Sequence, residues 1–329
     1  YGGEKIILGA DILDNRLELL EQSRDRLSRS EKLLNTSELL SKTGGWEWDA
    51  IREKMFWTQG TFRIHDFDPE SRETKEHGYI KRSLECYAEE DRSEIEKAFQ
   101  DCLEKGEPYD LECRFTTEKG RNLWIKTTGQ AVWENNRIVK VHGNLQDITR
   151  QKNNEQEIQW NARRNEVLSD TAYHLLQSRD PQGLVEDLCT RVMEFLDCQL
   201  FFNYLEDSLE GRLHLNACGG VEDKEDLQRI EWLDYDTSVC GSAASSGQRI
   251  TVEDIQNLDD PVTDLIRSFG VRAFCCHPLK MENNLIGTLA FGTRTRSHFE
   301  AREIEVMESV AHLVTIAMNR IETDRALKE

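Results

Sequence analysis

The chain has 329 residues, 38% of them hydrophobic, and a formal net charge of −20 from 62 acidic against 42 basic side chains. That length allows two ordinary domains plus linkers, and that charge argues against a nucleic-acid surface, which needs a basic face for the phosphates. No apolar run approaches the ~18 to 20 residues that span a bilayer. Nine cysteines without a CxxC pair fit neither a disulfide framework nor a structural zinc site, so a cytoplasmic, reducing setting is expected.

In chain order, Glu4 to Leu8 is strand-like, and Asp14 is placed to cap the helix that follows. Leu13 to Leu40 is rich in charge and free of Gly and Pro, with Leu13, Leu20, Leu27 and Leu34 seven residues apart. Leu17 adds one position of a second seam, whereas Arg24 and Glu31 take its next two. The repeat predicts a helix that pairs as a coiled coil; the alternative is one amphipathic helix packed on its own domain. Further on, Asn135-Asn136 signals a hairpin turn, and Ile138, Val139, Val141 and Leu145 suit a strand. Thr149 is placed to cap a helix opening at Arg150, so a sheet edge is coupled directly to a helix. That helix reaches about Gln177, with Asn161 and Asn165 interrupting its core positions. From Ser178 a helix runs through Leu188, Val192 and Leu196, and Cys198 to Leu205 and Arg212 to Ala217 alternate as strands. A closing helix carries Ile304, Met307, Ala311, Val314, Met318 and Ile321 on one seam.

Asp147-Ile148-Thr149 resembles the DIT triad (PAC motif) that ends a PAS domain. The likeness extends back through Gly45-Trp46-Glu47-Trp48-Asp49, similar to the GxWxWD strand of one PAS subclass, and through Phe56-Trp57-Thr58 and Phe62-Arg63-Ile64. Glu89-Glu90-Asp91-Arg92 matches the last three positions of the family's HPEDR helix start, with Tyr87 and Ala88 replacing its His and Pro. Leu111 to Phe115 and Leu123 to Ile125, joined across Gly120, complete the order of motifs. Gly9-Ala10-Asp11-Ile12 echoes Leu145-Gln146-Asp147-Ile148, so the chain reads as beginning inside the last strand of an earlier PAS domain. Val239 to Ala244, Gly247 to Ile255, Phe274 to Leu279 and Asn284 to Gly292 resemble, in order, the helix, central strand and final hairpin of a GAF domain.

Both families wrap an antiparallel sheet around a pocket without supplying a reaction, and function is argued from sites. The sequence carries no P-loop, GxGxxG fingerprint, HExxH pair, GGDEF-like or EAL-like core, or histidine-kinase phosphoacceptor box. His174 and His312 are followed by Leu175 and Leu313, where that box needs an acidic residue. The Asn-Cys-Arg-Phe flavin-adduct motif of light-sensing PAS domains is missing, and Cys86, Cys102 and Cys113 stand in other contexts. His77 opens a helix, where a surface position is the common case, and Trp46, Trp48, Trp57, Trp124 and Trp133 serve strand packing or ligand stacking. In the GAF-like half, Cys275, Cys276 and His277 form the strongest local cluster. If Val271 to Leu279 is a strand, Cys275 and His277 share one face, where thiol and imidazole together would suit haem iron, and Cys276 takes the other. Core packing competes with that reading. Cys218 and Cys240 are further candidates through the thioether attachment of some GAF sensors.

The combined reading is an α+β chain with long signalling helices. The end of a preceding PAS domain occupies 1–12, a coiled-coil linker 13–41, a PAS domain 42–150 and a helical linker 151–177. A GAF domain then occupies 178–322, and 323–329 begins a linker to an output domain. The resemblance implies the sensory and dimerisation region of a signal-transduction protein. It is expected to be a cytoplasmic homodimer that takes a small-molecule ligand and contacts neither nucleic acid nor membrane, with Asp147, Ile148 and Thr149 passing the signal. A sensor histidine kinase of a two-component phosphorelay is the leading parent. A cyclic-dinucleotide cyclase, a sigma-factor-activating ATPase or a non-enzymatic scaffold are the alternatives.

Overall fold

The computed structural model describes residues 3–70, 79–178, 181–281 and 284–326; His77 lies outside them. The chain divides into two units, Tyr1–Glu157 and Ile158–Glu329, each built on one antiparallel sheet with flanking helices.

In the first unit, α1 (Gly3–Ser41) is one unbroken helix. Glu4 to Leu8 is therefore helical where a strand was expected, and Asp14 stands mid-helix instead of capping. A strand needs a ladder partner, whereas a helix satisfies its own backbone. Leu20, Leu27 and Leu34 are 64%, 65% and 63% exposed on it. There follow β1 (Thr43–Asp49), β2 (Lys54–Trp57), α2 (Gln59–His65), α3 (Tyr79–Cys86), α4 (Glu89–Lys105), β3 (Tyr109–Thr116), β4 (Asn122–Glu134) and β5 (Arg137–Asp147). The sheet runs β2-β1-β5-β4-β3, which puts β5 at its centre. The β4–β5 turn is the predicted one, with Asn135 and Asn136 both left-handed at φ 49° and 62°, as a tight two-residue hairpin of matching twist requires. Helix α2 lies directly on β1 because Gly60 has no side chain: a Cβ there would stand 2.1 Å from the Thr43 carbonyl oxygen.

The second unit begins within α5 (Thr149–Gln177), whose Thr171 and Leu175 are buried. Helix α6 (Pro181–Phe195), β6 (Leu200–Asp207), β7 (Arg212–Gly219), α7 (Lys224–Ile230), β8 (Trp232–Leu233) and α8 (Val239–Ser246) follow, then β9 (Ile250–Val252), α9 (Asp264–Ser268), β10 (Ala273–Met281), β11 (Asn284–Thr293) and α10 (Ala301–Ala326). Sheet order is β8-β7-β6-β11-β10-β9. One face of this sheet packs Phe201, Leu279, Leu289 and Phe291 with α6 and α10. The other packs Phe202, Tyr204, Phe274 and Ala290 with α7 and α8. The closing-helix seam is spent here, since Met307, Ala311, Val314 and Met318 are buried in the domain's own core. Among the described residues no helix is long and apolar enough to cross a membrane.

Candidate ligand site and helix joint

A cavity of about 590 Å³ opens in the first unit between the sheet and helices α3 and α4. Such a volume lies within the range that small molecules fill. Trp46, Trp57, Phe99, Tyr87 and Tyr109 give it aromatic walls, and Ile80, Leu84 and Leu145 fill between them. Thr127 lines the cavity with both phenols, and burial drives both phenols well above their ordinary titration range. The charged wall residues Glu96 and Lys97 are exposed on α4.

Behind this wall sits His65, fully buried at the end of α2. Its ring stacks on Trp57 with centroids 4.4 Å apart. Nδ1 stands 2.8 Å from the Thr61 carbonyl oxygen and Nε2 2.9 Å from Ser83 Oγ, and Ser83 lines the cavity. Burial lowers the imidazole to about 4, against the bond to Thr61, which favours the proton. The ring is neutral near pH 7. A carbonyl only accepts, so Nδ1 carries the hydrogen, and bare Nε2 accepts from the Ser83 hydroxyl.

Both long helices of this unit are tied to the sheet at one end of β5. The Asp147 N–H donates to the Lys42 carbonyl just beyond α1 (3.0 Å), and the Lys42 ammonium lies 4.0 Å from the Asp147 carboxylate. At the start of α5 the cap is Asp147, whose Oδ1 accepts from the Thr149 N–H at 3.0 Å. Thr149, expected to cap, is turned to the sheet instead: its Oγ1 accepts from the Trp124 N–H of β4 at 2.9 Å. The Ile148 N–H donates to the Trp124 carbonyl at 2.9 Å. Sequence order alone cannot distinguish these arrangements, because the choice depends on which strand end lies beside the turn. A further anchor went unnoticed in the sequence. Glu38, near the end of α1, accepts from the Gly45 N–H of β1 (3.2 Å) and the Gly60 N–H (2.9 Å), so α1 supplies the carboxylate for an otherwise orphan amide at the start of α2.

In the second unit β10 is a strand, and Cys275 and His277 share the face covered by α6 and α10. His277 is 4% exposed, its Nδ1 lies 3.9 Å from Cys275 Sγ, and Cys275 Sγ lies 3.4 Å from Thr251 Oγ1. Burial, assisted by the Arg249 charge, lowers His277 to about 4, and burial pushes the Cys275 thiol up to about 11. A porphyrin on this face would have to displace α10, so the cluster does not fit haem. Cys276 points to the opposite face, in one apolar cluster with Cys240, and Cys218 packs against that cluster. The Cys276 thiol, desolvated and beside Cys240, is driven well above its usual range, and burial also raises Cys218. Protonated buried thiols are poor nucleophiles and poor metal ligands. Among the described residues no group of three or more His, Cys, Asp or Glu side chains is placed to hold a metal ion.

Comparison with known proteins agrees with this architecture. Residues 54–145 match the PAS fold and residues 178–319 the GAF domain. A blue-light-activated histidine kinase of Brucella ovis is 31% identical over 143 residues, 42% of this chain and 27% of that protein. A probable diguanylate cyclase, DgcE, of Escherichia coli is 28% identical over 106 residues, 32% of this chain and 9% of that protein. The matches thus span well under a third of the curated relatives. Among solved structures, the GAF domain of a Coxiella burnetii phosphoenolpyruvate-protein phosphotransferase superposes with a TM-score of 0.44 at 15% identity, over 50% of this chain and 96% of that one. The chain thus carries a PAS domain, 54–145, followed by a GAF domain, 178–319.

Proposed function

We propose that this chain is the input and dimerisation region of a cytoplasmic sensor histidine kinase in a two-component phosphorelay. In this reading occupancy of the PAS cavity is passed through Asp147, Ile148 and Thr149 into α5, and α1 pairs with its copy in a parallel coiled coil that keeps like domains side by side. One observation carries the reading: Leu145, a wall of the cavity, lies two residues before Asp147, which touches both the end of α1 and the first turn of α5. Likeness to the Brucella kinase supports the choice of output. Likeness to DgcE favours, as second reading, an input region for a cyclic-dinucleotide cyclase. The full-length protein separates them. Incubated with radiolabelled ATP it is expected to gain acid-labile phosphohistidine, and formation of a cyclic dinucleotide from GTP without such labelling would replace the kinase by the cyclase.

A further inference from the structure

We propose that the PAS cavity takes an uncharged, planar aromatic molecule bearing an O–H or N–H group, with its ring against Trp46 and Trp57 and that group donating to Ser83. This rests on the sensory reading above and adds the chemistry of the ligand.

Charge is settled by what surrounds the cavity. A buried ion needs a counter-charge or several strong hydrogen bonds to replace its hydration. Among the described residues the charged ones in the wall are Glu96 and Lys97, of opposite sign and both exposed. The inner groups are neutral: the Tyr87 and Tyr109 phenols are held protonated by burial, and His65, behind Ser83, is an uncharged imidazole. Among the described residues neither an anion nor a cation finds its complement inside. Shape follows from the walls, because flat rings such as Trp46, Trp57 and Phe99 gain most from a flat partner.

The donor requirement comes from the fixed direction of one hydrogen-bond chain. The Thr61 carbonyl takes the Nδ1 proton, so Nε2 is bare and takes the Ser83 proton. With its hydrogen committed, the Ser83 oxygen turns lone pairs to the cavity. A ligand donor completes the chain, whereas a ligand acceptor placed there faces another acceptor.

Three naphthalenes of nearly equal size test this on the full chain near neutral pH, read by quenching of tryptophan fluorescence and by calorimetry. 2-Naphthol is neutral and a donor, 2-methoxynaphthalene is neutral and only an acceptor, and 2-naphthoate is an anion. The expected result is binding of 2-naphthol, about tenfold weaker binding of the methoxy compound, and no saturable binding of the naphthoate. Ser83→Ala should bring the two neutral compounds within about twofold of each other, and Ser83→Thr should restore the gap. Equal or tighter binding of the naphthoate, equal binding of the methoxy compound, or binding of none of the three overturns the ligand class. The sensory reading is tested apart from it: Leu84→Trp, which fills the cavity, should shift the output of the full-length protein with no ligand added, and an unmoved output removes the reading itself.

Discussion

Acid should unfold the PAS domain earlier than its carboxylates alone require, and His65 sets the amount. Its imidazole titrates at about 4 in the fold against 6.5 when free. Between those values the unfolded chain binds a proton that the folded domain refuses, so stability falls as pH falls, by about 1.4 kcal/mol per pH unit. Across the window the loss comes to roughly 3 kcal/mol, a large part of a typical domain's 5 to 15 kcal/mol. Above pH 6.5 both states are neutral and the contribution is whole; below about 4 both are charged and no more is lost. Asp66, whose pairing with Arg121 outweighs the burial that would raise it, is held below its ordinary 3.8, so its contribution is lost only beneath this window. Urea denaturation in a pH series, followed by the fluorescence of Trp57 on which His65 stacks, measures the slope. His65→Phe keeps a ring against Trp57 and removes the proton site, so its stability should be nearly flat over the same range. A wild-type midpoint unchanged from pH 6.5 to about 4, or an equal fall in His65→Phe, would refute the argument.

His277 titrates at about 4 for the same chief reason, so the GAF domain should show a similar loss, visible by circular dichroism. Leu20→Asp with Leu27→Asp should weaken self-association while both domains stay folded; sedimentation equilibrium decides, and a wild-type chain that is strictly monomeric at tens of micromolar rejects the coiled coil. Thr149→Ala leaves the Trp124 N–H without its partner and should cost about 1 kcal/mol of PAS stability, recovered in Thr149→Ser; in the full-length protein it should also change output, and unchanged signalling would make the bond purely structural. Added hemin should give only a broad band unaltered by His277→Ala, because that imidazole lies beneath α10; a sharp Soret band that His277→Ala abolishes would show that the face opens.

Much of the fold was legible because it is written in local pattern. Asn135-Asn136 allows the left-handed pair that a two-residue hairpin demands, and Gly45 to Asp49 alternates as a sheet strand does. Pro181 opens α6 where fixed φ and a missing N–H do least harm. What stayed hidden depends on partners distant in sequence. The period of two correctly parted Cys276 from Cys275 and His277, but which face of β10 meets α10 is a property of the packed domain. Glu38 reads as one more charge on an acidic helix until Gly45 and Gly60, distant in the chain, turn their amides to it. His65 carries no sequence mark either. Its role appears only when α3 brings Ser83 to its Nε2.

In the proposed reading, a small ligand acts on two long helices through the place of β5 in the sheet. Its neighbours are β1 and β4. The end of α1 is fixed on the β1 side, through Glu38 to Gly45 and Gly60, and the start of α5 on the β4 side, through Ile148 and Thr149 to Trp124. Asp147 at the end of β5 links the two anchors, with one backbone bond and an ion pair toward Lys42 and one cap bond toward Thr149. The ion pair is long, and its Lys42 side is 59% exposed, so it contributes at most about 1 kcal/mol. The two anchors are also joined through the ladders of β1 and β4 on β5, so in the proposed reading the signal is a local rearrangement at Asp147, where the bonds toward the two helices are few. In that reading a ligand that bears on Leu145 acts on the strand that ends at Asp147. It needs only a few kcal/mol of preference for one arrangement to shift the population.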